Sequence, residues 1–319
     1  MSLSARIPET LLQRLEWTVI RRLDGLLQGD YQSLFRGFGL DLAELREYQL
    51  HDDVRYIDWN VTARLQTPYV RQYNEDREVT AWFLLDISPS VDFGTARKLK
   101  RDLLVDFVAV LARLLTRNGN RVGAVLYDGE VEQVIPARSG RPQVLHLLDI
   151  LLAQPVRRRT PPTDLAVLLQ SAFRLIRRRS LVFIISDFIS VPGWIKPLEM
   201  LTHRHEALAI RLYDPREVEL PDVGFIVMED AETGEQLPLD THDPLFRRRF
   251  IEAARRREAE LLGAFARAGV DTLALSTEGD LVRELIRFAA LRKQRRALAR
   301  PAAGTAGSDY YSSAGPVVG

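Results

Sequence analysis

Asp86-Ile87-Ser88-Pro89-Ser90 sets one carboxylate and two hydroxyls at alternate positions of a turn that Pro89 stiffens. All three are hard oxygen donors, and converging hard oxygens are what a small divalent cation takes. Magnesium asks for about six oxygens at roughly 2.0–2.1 Å and gives up its water reluctantly. Two more donors stand far along the chain. Thr163 lies in Pro161-Pro162-Thr163-Asp164, and Asp187 closes the apolar run Phe183-Ile184-Ile185-Ser186-Asp187. Together these five predict a shallow site for Mg2+, or for Mn2+ or Ca2+ in its place. Few charges would surround the ion, leaving it open to a carboxylate from a protein partner. Each residue also has a local use. Ser-Pro-Ser can make an ordinary turn, Thr163 can cap a helix with Asp164 in its first turn, and Asp187 can cap the segment after it.

The five donors meet only if the fold gathers three distant loops. Val79 to Leu85 reads as a buried strand ending in Asp86, followed by a helix over 95–117. Arg121 to Tyr127 and Val131 to Pro136 read as strands around the turn Asp128-Gly129. Helices follow over 141–153 and from Pro161 to about 178. Leu181 to Ser186 is the most apolar strand and suits a centre buried on both faces. A helix after Pro192, the strand Ala207 to Tyr213, helix 244–268, the strand Val270 to Leu275 and helix 279–298 complete the alternation. The prediction is an α/β fold, doubly wound, with a mainly parallel sheet of about six strands and helices on both faces. In the common strand order 3-2-1-4-5-6, the strands ending in Asp86 and Asp187 are neighbours at the switch point, where open sheets bind ligands.

This domain is expected over 79–298, with a β-hairpin insertion at 216–240 around Glu232-Thr233-Gly234-Glu235. Residues 1–78 read as a separate unit: an amphipathic helix over 8–28, then a polar module. The Gly-, Ala- and Ser-rich tail 299–319 reads as disordered. In the polar module Arg46, Tyr48, Asp52, Asp53, Arg55, Asp58 and Arg64 surround Trp59 in sequence, predicting a salt-bridge network that pins the module to the main domain.

Composition narrows the function classes. With 44 basic against 43 acidic residues the net charge is +1, which gives no global field for nucleic acid. Arg runs such as 157–159, 177–179 and 247–249 read as helix ends and solvated faces. The Arg-rich stretch from Arg283 to Arg300 is where nucleic acid or anionic lipid would bind if either did. The absence of cysteine removes disulfides, thiolate metal sites and cysteine nucleophiles. No apolar run reaches the roughly 18 residues of a membrane span, and Glu9, Arg14, Glu16 and Arg21 interrupt any leader-like core. A cytoplasmic protein is expected. No Gly-x-x-x-x-Gly-Lys-[Ser/Thr] run is present, so no ATP site of its own is expected.

Asp-x-Ser-x-Ser after an apolar strand, a Thr before a later helix and an Asp closing another strand resemble the metal-ion-dependent adhesion site of von Willebrand factor A domains. The resemblance implies that Ser88 and Ser90 ligate the metal directly. Thr163, Asp86 and Asp187 would do so directly or through water. Pro162 stands where that family usually has Gly. The polar module, with Asp214-Pro215-Arg216-Glu217, Leu220-Pro221, Gly224, Asp230 and Glu232-Thr233-Gly234, is similar to the bacterial DUF 58 family over about residues 31–290. His51 departs from that family's usual Gly. DUF 58 proteins are commonly encoded beside MoxR-type AAA+ ATPases. The resemblance therefore implies a non-enzymatic adaptor working with such an ATPase or its client. The enzyme alternative is a magnesium-dependent phosphatase using Asp86 as nucleophile, like haloacid dehalogenase-type phosphatases. It needs an acid two residues on, where Ser88 stands.

Overall fold

The computed structural model describes residues 3–26, 44–49, 54, 57, 59, 62, 67–72, 79–155 and 160–299. The chain starts with helix α1 (Leu3–Leu15), a π-helical turn (Glu16–Ile20) and α2 (Arg21–Leu26). Strands β1 (Glu44–Glu47) and β2 (Tyr69–Gln72) form a small antiparallel ladder. The main sheet then begins with β3 (Thr80–Asp86), followed by α3 (Lys100–Arg117), β4 (Arg121–Asp128), β5 (Glu130–Arg138), α4 (Arg141–Ala153) and α5 (Leu165–Leu175). It continues with β6 (Leu181–Ser186), α6 (Ile195–Arg204) and β7 (Glu206–Tyr213). The hairpin β8 (Phe225–Glu229) and β9 (Gln236–Asp240) interrupts it before α7 (Pro244–Arg267), β10 (Asp271–Ser276) and α8 (Leu281–Ala299).

Six strands lie in the order β10-β7-β6-β3-β4-β5. Only β5 runs antiparallel, joined to β4 by the tight turn at Gly129, whose φ of 75° suits glycine. The order matches the expected 3-2-1-4-5-6 pattern, so β3 and β6 are paired neighbours. Alternation along the strands sends side chains to two cores. Ala81, Phe83 and Leu85 face α3, α4, α8 and the amino-terminal helices. Leu84, Val182 and Ile184 face α5, α6 and α7. Every residue of β6 is buried, as its unbroken apolar text requires. Phe83 and Phe183 stack across the β3–β6 pair at 5.2 Å.

Leu12, Leu15, Val19, Ile20 and Leu23 are buried in the same core as one face of the sheet. Glu16 anchors this segment through Arg113 at 2.6 Å and Arg141 at 2.7 Å. The helix expected over 95–117 starts later, at Lys100. Thr95 is held out of it by Asp214, which accepts from the Thr95 amide at 2.8 Å and its hydroxyl at 2.6 Å. Asp102 Oδ2 then accepts from the Leu99 amide at 3.1 Å and closes the first turn.

Candidate cation site at the carboxyl edge of the sheet

Four adjacent parallel strands deliver an aspartate to one edge. In sheet order these are Asp128 on β4, Asp86 on β3, Asp187 after β6 and Asp214 after β7. Asp86 is fully buried. Its Oδ1 accepts from the Ser88 amide at 3.1 Å, which turns the chain back over the strand end. Its Oδ2 accepts from the Ser186 hydroxyl at 2.6 Å, and that hydroxyl accepts from the Phe188 amide at 2.9 Å. Ser186 thus ties the ends of β3 and β6 together. The Ser88 and Ser90 hydroxyls lie 3.1 Å apart, both buried, with Ser90 on the 3-10 turn Pro89–Asp92.

A strained backbone follows Asp187. Phe188 adopts a φ of 58°, a left-handed conformation that a bulky residue takes only when its surroundings impose it. Packing against Phe265 at 4.8 Å and Trp194 at 5.8 Å holds it there. Asp187 Oδ1 accepts from the Ile189 amide at 3.0 Å, while Oδ2 meets Lys100 Nζ at 2.8 Å. Lys100 also reaches Glu217 Oε1 at 2.6 Å and is itself buried. Burial alone would lower the Lys100 ammonium, but the charges of Asp187 and Glu217 outweigh it and hold it above its ordinary value.

Burial, and next the charge of Asp187, push Asp86 up to about 6 despite the hydrogen bonds from Ser186 and Ser88. The charge of Asp187 therefore opposes the ionisation of Asp86, which has no positive group paired with it among the described residues. Hydroxyl donors and a charge deficit are the features a hard dication fits. Ser88, Ser90 and Thr163 would hold such an ion, with Asp86 and Asp187 behind them.

Thr163 comes to the same edge by other bonds. Its carbonyl accepts from the Val191 amide at 2.9 Å, joining its loop to the one after Asp187. Its neighbour Asp164, not Thr163, caps α5, accepting from the Ala166 amide at 2.9 Å. The Asp164 amide donates to the Tyr127 hydroxyl at 2.9 Å. Thr163's own hydroxyl and amide donate to Glu232 of the hairpin, at 2.5 and 3.0 Å. The expected shallowness does not hold. Asp86, Ser88, Thr163 and Asp187 are at most 3 % exposed, and Ser90 is 9 % exposed.

Sequence reasoning passed over Ser186, Lys100, Glu217 and Glu232. Lys100 carried one signal: it is one of only four lysines among 44 basic residues, so a chain that prefers Arg has kept Lys at a helix start. A compact ammonium fits between two carboxylates where a broad guanidinium would not. The motif Asp214-Pro215-Arg216-Glu217 also has a use beyond the insertion. Asp214 braces the Thr95 loop and Glu217 meets Lys100.

Most of the network expected in the polar module lies outside the described residues. Arg46 lies opposite Val70 in the β1–β2 ladder, and the Tyr48 amide donates to the Pro68 carbonyl at 2.8 Å. Trp59 is 69 % exposed. Asp52, Asp53, Arg55, Asp58 and Arg64 lie outside the described residues, as do Arg157–Arg159 and the tail from 300.

Residues 44–260 match the family described as "Protein of unknown function DUF58". The chain is 42% identical over 283 residues to the uncharacterized protein Rv1480 of Mycobacterium tuberculosis, covering 89% of each. It is 39% identical over 160 residues to the uncharacterized protein MAV169 of Mycobacterium avium, covering 50% of this chain and 94% of that one. The chain belongs to the DUF58 family. Among solved structures it is similar to the conserved hypothetical protein BatB from Bacteroides thetaiotaomicron, with a TM-score of 0.43 and 13% identity. That match covers 69% of this chain and 98% of that one. An aerotolerance-related membrane protein from Bacteroides fragilis matches at TM-score 0.43 and 11% identity, over 67% and 99% of the two chains. An uncharacterized membrane spanning protein from Vibrio fischeri matches at TM-score 0.25 and 14% identity, over 70% and 99%. These matches are too loose to transfer residues or roles. Two of the three are described as membrane proteins. Among the described residues, no helix is long and apolar enough to cross a membrane.

Proposed function

We propose that this chain is a non-enzymatic adaptor with a von Willebrand factor A-like domain, binding a protein partner through a divalent cation at the β3–β6 edge. The observation that carries the reading is Asp86, buried beside Asp187 with its carboxyl pushed up to about 6 and three hydroxyl-bearing residues around the same edge. Ser88, Ser90 and Thr163 hold magnesium or manganese, and Asp86 and Asp187 supply the balancing charge. When bound, the ion offers a Lewis-acid position to a carboxylate from outside. The chain's residues then orient that carboxylate and exclude water from it.

The partner in this reading is a MoxR-type AAA+ ATPase or its client, met during assembly or maturation of a complex. Family resemblance supports this choice. The phosphatase alternative is set second, because Ser88 stands where its general acid would be. The test is capture of a purified MoxR-type ATPase on the immobilised chain, in magnesium and in chelator. Capture is expected only in magnesium and is lost in the double variant Ser88→Ala, Ser90→Ala. Equal capture by that variant would separate the cation edge from the interface.

A further inference from the structure

Among the described residues, the β8–β9 hairpin is held mainly at its two ends. It forms a two-stranded sheet of its own, outside the six-stranded one. Phe225, Val227 and Leu237 are 82 %, 64 % and 59 % exposed, so the strands bury no core between them. An isolated two-stranded hairpin is marginal in water. At its base Thr241 closes the loop, its hydroxyl donating to the Gly224 carbonyl at 2.7 Å. At its tip, Glu232 bonds to the main domain.

That tip is built to present one carboxylate. Asp230 Oδ1 accepts from the amides of Glu232 at 2.9 Å and Thr233 at 2.7 Å. Gly234, with a φ of 74°, makes the left-handed step and donates to the Asp230 carbonyl at 2.8 Å. Both oxygens of the projecting Glu232 are then bound by one residue. Oε1 accepts from the Thr163 hydroxyl and Oε2 from the Thr163 amide, while the Glu232 carbonyl accepts from the Thr160 amide at 3.1 Å. Thr163 thereby acts as a two-pronged carboxylate receptor, and it is one of the five residues of the cation edge. Its two donors serve one carboxylate at a time.

We infer that Glu232 is an intramolecular stand-in for the partner's carboxylate, holding the hairpin over the cation edge until an acidic loop of the partner displaces it. This rests on the reading of that edge as a partner-binding site, and it sharpens the reading in two ways. It assigns the ligand as a Glu or Asp side chain on a protein turn. It also explains why Thr163, expected in a shallow site, is buried. A closed state that must open first lowers apparent affinity by the fraction of molecules that are open.

The probe is a fluorescein-labelled peptide of residues 229–236, cyclised through added terminal cysteines, titrated by anisotropy into the full chain in magnesium. The Glu232→Ala chain is expected to bind it about tenfold or more tighter than the wild-type chain. A peptide carrying Gln at the Glu232 position should lose that gain. Equal affinity in both chains, or binding to neither, would overturn the inference. The variant combining Glu232→Ala with Ser88→Ala and Ser90→Ala separates the two ideas. If it loses the peptide, both stand. If it keeps the gain and chelator has no effect, the cation reading fails while the exchange at Thr163 stands.

Discussion

Asp86 ends β3 and Asp214 follows β7, two places along the same sheet edge, and both are fully buried. Their charges are treated in opposite ways. Burial alone would raise Asp214, but hydrogen bonds from Thr277, from the Thr95 hydroxyl and amide and from the Arg216 amide outweigh it and hold the carboxyl below its ordinary value. At Asp86 burial wins, helped by the charge of Asp187, and the carboxyl rises to about 6. One acid has its charge solvated by protein dipoles; the other is short of positive partners. Burial therefore does not mark a functional acid. The number of donors separates the two acids, and Asp86 has fewer of them than Asp214.

The contrast breaks most visibly by substitution at Asp214. Asp214→Ala removes the acceptor of the Thr277 and Thr95 hydroxyls and of two amides, leaving buried donors unpaired. A loss of about 3 kcal/mol in urea unfolding is expected, with or without magnesium. A loss under about 0.5 kcal/mol would remove Asp214 from its structural role.

Asp86→Asn should act in the other direction, and with a pH signature. An acid whose folded value is raised binds its proton more tightly in the native state, so stability falls as pH climbs from the unfolded value of 3.8 toward about 6. Replacing it with a neutral amide, whose oxygen accepts from the Ser88 amide while its NH2 donates to the Ser186 hydroxyl oxygen, removes that penalty. In chelator at pH 7.5 the variant is expected to be more stable than wild type by about 1–2 kcal/mol, the advantage shrinking toward pH 4. Asp214 has the opposite slope: its contribution is present above its unfolded value and fades as pH falls through the folded one. Urea midpoints across pH 4–8 check both, and an Asp86→Asn advantage that grows on acidification would reverse the assignment.

How much of this was legible in the sequence depends on range. Periodicity and apolar runs carried the strands, and the strand order followed from an alternating α/β pattern, so the neighbourhood of Asp86 and Asp187 could be reached from residue types and spacing. The contacts that decide the site's chemistry could not. Lys100 reaches Asp187 across 87 positions and Glu232 reaches Thr163 across 69, and no local spacing encodes such pairs. The start of α3 was misplaced for the same reason, because a distant acid holds Thr95 out of the helix. Depth is not legible in the sequence either, since spacing shows donors but not the distant Glu232 that binds Thr163.

Titration calorimetry of Mn2+ into the chelator-stripped chain tests the central claim most directly, run at pH 5 and 7.5 on wild type and on the Ser88→Ala, Ser90→Ala variant. One site per chain is expected at pH 7.5, weaker at pH 5 where Asp86 holds its proton, and absent from the variant. Binding of equal strength in the variant, or no binding to wild type at pH 7.5, would contradict a cation site at this edge.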